Sequence, residues 1–328
     1  MIGAGTIGRE WMARAIASQP DATLAAIASS DPERARSFAQ ELGIPKAHAS
    51  VDDLLADSEI DAVYISTTNE WHKPQTMAAA AAGKHVLCEK PLAMSLADAR
   101  EMVAACDAAG VVLGTNHHLR NSGTHRTMKQ LVDTGVIGMV QAARVFHAVY
   151  LPLHLQSWRI NRPESGGGVI FDITVHDVDT LRFILGDEIE SVAAMTASQG
   201  MGASGIEDAV MGVMRLQSGA LAQFHDAFTA RHPFTGLEIH GTEGSLYGRD
   251  VMTQRPVGAV TLRRNGEETE IAVEHENLYE RSVRLFNAAV RGEGSPAATA
   301  DDGMRSLAVA LAVREAAGSG QTVSVSYT

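Results

Sequence analysis

Cysteine is nearly absent from this sequence. The 328 residues hold two, Cys88 and Cys106, too few for a disulfide framework or a thiolate metal cage, and both stand in apolar stretches where they read as small buried hydrophobes. Long hydrophobic runs are missing as well. None approaches the roughly 20 residues of a membrane-spanning helix, and a content of 45% hydrophobic and 20% charged residues belongs to a soluble globular protein. Positive charge is in short supply: 27 Lys and Arg stand against 39 Asp and Glu, and a net charge of -12 repels a phosphate backbone. Nucleic acid is therefore not an expected partner. Met1 runs straight into Ile2-Gly3-Ala4-Gly5 without a basic leader or a cleavage site, which leaves the cytoplasm as the expected location. Internal repeats and low-complexity linkers are also lacking.

What is present suits two domains. A glycine turn leads into a helix near 7–18, and then strands over 23–29, 62–66, 85–88 and 111–115 alternate with helices near 32–42, 73–82 and 96–109. This rhythm predicts a doubly wound parallel sheet, a Rossmann domain over residues 1–118. A first strand of about five residues is usual, yet only Met1 and Ile2 precede the glycines, so upstream residues are expected to be missing. Beyond residue 118 come a helix near 124–134, a strand over 140–150, a polar loop and a helix opening at Gly166-Gly167-Gly168. Strands then follow one another, over 189–197, 209–216, 220–229, 235–240, 260–263 and 269–273, before helices near 278–291 and 302–317. Adjacent strands of this kind predict an α+β domain over 119–328 with a large, mostly antiparallel open sheet. The whole is an α/β protein.

Gly3-Ala4-Gly5-Thr6-Ile7-Gly8 is a G-x-G-x-x-G run opening a helix, where glycine lets the backbone approach a pyrophosphate at the helix N-terminus. Alone it could be an ordinary glycine turn; the βαβ pattern after it favours a dinucleotide. At the end of the second strand stand Ser29 and Ser30, with Arg34 one turn on. Two hydroxyls and a guanidinium suit the 2′-phosphate of NADP, whereas Asp31 beside them suits the ribose of NAD. Ser30 or Asp31 could equally be a helix cap, with Arg34 a solvated charge. Lys90, in Glu89-Lys90-Pro91, follows an apolar strand and so lies where parallel sheets build their sites; it could hold a carbonyl oxygen or protonate an alkoxide, or be a surface lysine at a turn. Asp172 and His176, four residues apart on a helix crowded with Val169, Ile170, Ile173, Leu181 and Ile184, form a carboxylate and imidazole pair fit for proton transfer. A structural histidine is the competing explanation. A metal site using His117 or His118 has no supporting ligand spacing, and none is expected.

Together these motifs, with Asn116 after the fifth strand and Asp301-Asp302-Gly303 opening the last helix, resemble the glucose-fructose oxidoreductase, inositol dehydrogenase and rhizopine-catabolism family. The resemblance spans nearly the whole chain. It is sharpest toward members that reduce a cyclic ketose with NADPH, in the stretches Tyr64 to Glu70, Gly114 to Asn121, Arg144 to Pro152 and His240 to Leu246. It implies an oxidoreductase acting on a cyclic sugar or polyol, with a sister activity as an inositol or hexose dehydrogenase as the alternative. Cofactor contacts are implied at the turn Gly3, Ala4, Gly5, Thr6, Ile7 and Gly8, at Ser29, Ser30 and Arg34, and at Thr67, Thr68, Asn69 and His72. Glu89, Lys90, Asn116, Ser157, Trp158 and Tyr279 complete them. Lys90, Asp172 and His176 are implied to line the substrate. Gly5 and Gly8 stand where those reductases carry a serine and an alanine, which implies that NAD(H) is admitted beside NADP(H). A catalytically idle cofactor-binding regulator is the rival class, and the joint presence of Lys90, Asp172 and His176 argues against it.

Overall fold

A computed structural model describes residues 1–328, and the chain falls into two compact units, Met1–His117 with Tyr279–Met304, and His118–Leu278 with Arg305–Thr328. The second half is thus not one continuous domain as expected: residues 279–304 return to the first unit. No helix is long and apolar enough to cross a membrane.

In the first unit a π turn, Gly8–Met12, continues as α1, Ala13–Ala17, followed by β1 Ala26–Ala28, α2 Pro32–Leu42, β2 Lys46–His48 and α3 Val51–Ala56. Then come β3 Ala62–Ile65, α4 His72–Ala81, β4 His85–Cys88, α5 Leu96–Ala109 and β5 Leu113–Thr115. The strands pair in parallel, β1 with β2 and β3 with β4 and β5, and Ile2 bridges both Ala28 and Ile65. The place of a first strand is therefore held by one bridging residue. Helix starts follow local chemistry: Asp31 caps α2 by accepting from Glu33 and Arg34 N–H with Pro32 at the first helical position, and Ser50 and Ser95 cap α3 and α5.

The second unit begins with α6 Gly123–Asp133, β6 Val140–Ala148 and a short α7 Trp158–Asn161. A second π turn, Ile170–Thr174, leads into α8 Val175–Leu185, so the segment expected to be plain α-helix from the glycines onward starts later and wider. β7 Ile189–Ala197, β8 Ala209–Leu216, β9 Leu221–Ala227, β10 Gly236–Gly241, β11 Ser245–Arg249, β12 Ala259–Arg264 and β13 Glu267–Ile271 follow. After α9 Leu278–Val290 and α10 Ala300–Ser319, β14 Val323–Ser324 completes a nine-stranded sheet ordered β13-β12-β11-β10-β6-β9-β8-β7-β14. Only the β6–β9 pair is parallel. β2, β11 and β14 were not legible in the sequence, being short or, for β11, broken by Gly248.

α8 is fixed by a buried ion pair. Arg120 Nε and Nη2 each donate at 2.8 Å to the two oxygens of Asp179, and neither side chain is more than 8% exposed. α10 opens with a capping box, Thr299 Oγ1 accepting from Asp302 N–H while Asp302 accepts from Thr299 N–H. Gly303 lies so close to β5 that a Cβ would collide with Thr115, which accounts for the glycine in Asp301-Asp302-Gly303.

Candidate active site

The glycine turn is shaped by close approach. Gly3 has φ +103°, and a Cβ there would stand 2.9 Å from the Ser66 backbone, so the chain can pass this point only as glycine. Helical backbone begins directly after the glycines, at Thr6, and Arg9 N–H already donates to Gly5 O at 3.1 Å, so the amides ahead of Arg9 are the ones at the open helix N-terminus. Asn69 at the β3 end is 4% exposed, and its Nδ2 has no partner. A cradle closed to side chains and a buried amide donor left unpaired fit a dinucleotide.

At the β1 end Ser29 is buried and accepts the Asp31 N–H at 3.3 Å, whereas Ser30 and Arg34 are exposed. Asp31 is the cap of α2, and its second oxygen stands 4.0 Å from Arg34 Nε. The acid that suited NAD is therefore engaged with the helix end. Thr67 donates to Gln75 Oε1 at 2.7 Å, and Thr68 begins the short turn carrying Asn69. His72, expected to contact cofactor, is wholly buried, with Nδ1 2.8 Å from Pro91 O and Nε2 3.3 Å from Thr67 O. Burial lowers its pKa, and since a neutral ring carries a single N–H it donates to one of these two carbonyls only.

Lys90 is half-buried and followed by a cis bond to Pro91. Its neighbour Glu89 is buried inside a hydrogen-bond network: Tyr64 Oη donates to Glu89 Oε1, Asn116 Nδ2 donates to the same oxygen at 2.6 Å, and Lys90 N–H lies 3.4 Å from Oε2. Ser282 in turn donates to Asn116 Oδ1 at 2.8 Å. Burial raises the pKa of Glu89 against the pull of these donors, and burial followed by the Glu89 charge raises that of Tyr64. Both ends of the Asn116 amide and one face of Glu89 are thus spent within the protein, where they hold the backbone of Lys90. Tyr279 is buried and stacks on Trp11 at 5.5 Å between ring centroids.

In the second unit the structure gathers Asp172 and His176 on the π turn and the start of α8. Arg159 donates Nε to Asp172 Oδ2 at 3.0 Å and its guanidinium lies 4.6 Å from the Trp158 ring centroid. His118 meets the His176 ring edge-on at 4.7 Å. Ser157 is exposed just before α7. No group of three or more His, Cys, Asp or Glu residues is arranged to hold a metal ion. Sequence reasoning did not find Arg159, the anchoring roles of Tyr64 and Ser282, or two further acids at Asp177 and Asp226. Arg159 is thirteen residues from its partner, and no periodicity links positions joined only by folding.

Residues 1–117 match the oxidoreductase family with an NAD-binding Rossmann fold, and residues 125–247 match the GFO/IDH/MocA C-terminal domain. The chain belongs to the GFO/IDH/MocA oxidoreductase family. It is 56% identical over 325 residues to the 1,5-anhydro-D-fructose reductase of Ensifer adhaerens, covering 99% of this chain and 97% of that one. To the myo-inositol 2-dehydrogenase of Thermotoga maritima it is 28% identical, with 96% and 94% covered. Among solved structures, the aldose-aldose oxidoreductase of Caulobacter crescentus complexed with glycerol superposes with a TM-score of 0.90 at 26% identity, covering 99% and 98% of the two chains. This family member is an oxidoreductase with a nucleotide-binding first unit, and the expected two-part architecture of a parallel dinucleotide sheet and a large antiparallel sheet is the observed one.

Proposed function

We propose that this enzyme reduces the ketone of a cyclic sugar with NADPH, converting 1,5-anhydro-D-fructose to 1,5-anhydro-D-mannitol. One observation carries the proposal: the 56% identity, end to end, with a reductase of that ketose. When bound, the reduced nicotinamide supplies hydride to the carbonyl carbon. The protein must supply the proton that the oxygen takes up. Lys90 of the first unit and His176 of the second are the two groups suited to give it. Lys90 has its backbone N–H beside the Glu89 network at the strand end, and its ammonium can polarise the carbonyl oxygen. Asp172, held by Arg159, binds substrate hydroxyls or orients the imidazole. Ser29, Ser30 and Arg34 take the adenosine 2′-phosphate, and NADH serves as a second, weaker cofactor through the open turn at Gly5 and Gly8. Ala4, Thr6 and Ile7 complete that turn, and Ser157, Trp158 and Tyr279 complete the cofactor contacts. The cytoplasm is the proposed location.

The test is NADPH oxidation with 1,5-anhydrofructose, run beside an inosose and glucose derivatives, with product analysis. Rapid turnover of the anhydroketose to the mannitol product supports the proposal. Oxidation of an inositol with NAD, without action on the anhydroketose, would replace it with a dehydrogenase. Tight NADPH binding with no turnover on any of them would leave a regulator.

A further inference from the structure

Two buried acids take no part in the chemistry above. Asp177 follows His176 in α8 and Asp226 lies on β9, and both are fully buried. His147 on β6 has Nδ1 2.7 Å from Asp177 Oδ1, and Thr174, two residues before His176, donates to Asp226 Oδ2 at 2.6 Å. His147 and Asp226 are register partners across the parallel β6–β9 pair. The remaining oxygens, Asp177 Oδ2 and Asp226 Oδ1, are buried without a hydrogen-bond partner, and the two carboxyls lie near enough for the charge of Asp177 to act on Asp226. Two full negative charges held this close away from water repel too strongly to coexist, and carboxylates accept but cannot donate, so a proton on one acid would give each unpartnered oxygen a partner.

We propose that Asp177 and Asp226 share one proton and act as a positioning device, clamping the turn that carries Asp172 and His176 onto strands β6 and β9. The inference rests on the proposed roles of Asp172 and His176. One proton satisfies all four carboxyl oxygens of the pair. Asp226 donates its O–H to Asp177 Oδ2 while its other oxygen accepts from Thr174, and Asp177 accepts from both Asp226 and the Nδ1–H of His147. That arrangement fixes the His147 tautomer as well. The clamp therefore grips the backbone on both sides of His176, at Thr174 and at Asp177. Burial raises the pKa of both acids, and the charge of Asp177 raises that of Asp226 further. His147 is the other titratable group acting on the pair. His125 of α6, which senses His147 and Asp179, is kept neutral by burial down to about pH 4, and Asp179 is paired with Arg120.

Infrared difference spectra of the wild type against Asp226→Asn should show, at neutral pH, the carbonyl stretch of a protonated carboxylic acid that the variant lacks. In the wild type the band should fade as pH rises, together with kcat, because the dianionic pair pushes the turn off its strands. Asp226→Asn keeps a donor toward Asp177 and an acceptor for Thr174 but cannot ionise, so its kcat should no longer carry that alkaline decline. Asp226→Ala should lower kcat by about tenfold or more, the scale of a displaced catalytic group, with the KM for NADPH unchanged, and Asp226→Asn should recover most of the loss. Absence of the band at neutral pH, or an Asp226→Asn profile that overlays the wild type, would overturn the proposal. Failure of the underlying reading looks different: His176→Ala with wild-type turnover and the band intact would remove the role of His176 while the band still supports the shared proton.

Discussion

Replacing Arg34 by alanine separates two cofactors that differ by one phosphate. A charge-assisted hydrogen bond to that phosphate contributes about 1.5–3 kcal/mol, or about ten- to a hundredfold in affinity. The structure places the expected loss at the lower end. The Arg34 side chain is 60% exposed, and water and salt screen a contact made there. The substitution is also clean, because Asp31 caps α2 through the backbone N–H groups of Glu33 and Arg34, which the variant keeps. We expect Arg34→Ala to lower kcat/KM for NADPH about tenfold and to leave NADH nearly untouched. Ser29→Asp is the complementary change. Ser29 is 6% exposed at the strand end, where a carboxylate would accept from the ribose hydroxyls of NADH and repel the phosphate of NADPH, so the preference should reverse. Steady-state kinetics with both cofactors on the three proteins decide the matter. An equal loss for the two cofactors in Arg34→Ala would refute the argument, since a guanidinium that reads the phosphate cannot matter to a cofactor without one.

Lys90→Ala and His176→Ala should each lower turnover by about a hundredfold, the usual scale for a positioned acid or polarising group, while fluorescence titration shows NADPH still bound. Asp179→Ala strands a buried guanidinium and should cost about 3–5 kcal/mol in denaturant unfolding, whereas Arg120→Met with Asp179→Leu together should recover most of it; a single-variant loss below about 1 kcal/mol would show that the pair does not hold α8. His125 is fully buried, and burial lowers its pKa to about 4. A histidine with a depressed folded pKa contributes stability above its unfolded value, near 6.5, and loses it as pH falls toward the folded one. The wild type should therefore lose roughly 3 kcal/mol between those limits, and His125→Gln, able to donate to Leu119 O without titrating, should flatten the curve in urea melts at a series of pH values. A variant curve parallel to the wild type would assign the acid sensitivity elsewhere.

The sequence by itself determined the order and kind of the elements, because alternating apolar strands and helices leave a parallel sheet little choice, and because Asp31, Ser50 and Ser95 cap their helices with neighbours two or three residues away. It also marked the glycine turn, Lys90, Asp172 and His176, whose residue types are uncommon in such surroundings. Elements too short to show a period, such as β2 and β14, passed unseen, as did the return of residues 279–304 to the first unit, which is a property of packing. Tertiary structure alone decided what each marked residue leans on. Glu89 and Asn116 proved to be bonded to Tyr64 and Ser282, His72 to be set between two backbone carbonyls, and Asp172 to be bonded to Arg159. Asp177 comes near Asp226, forty-nine positions away, only because the π turn ahead of α8 packs against β9. Local propensity is written in neighbouring residues, whereas the environment that sets a charge, a tautomer or a pKa is assembled from distant ones.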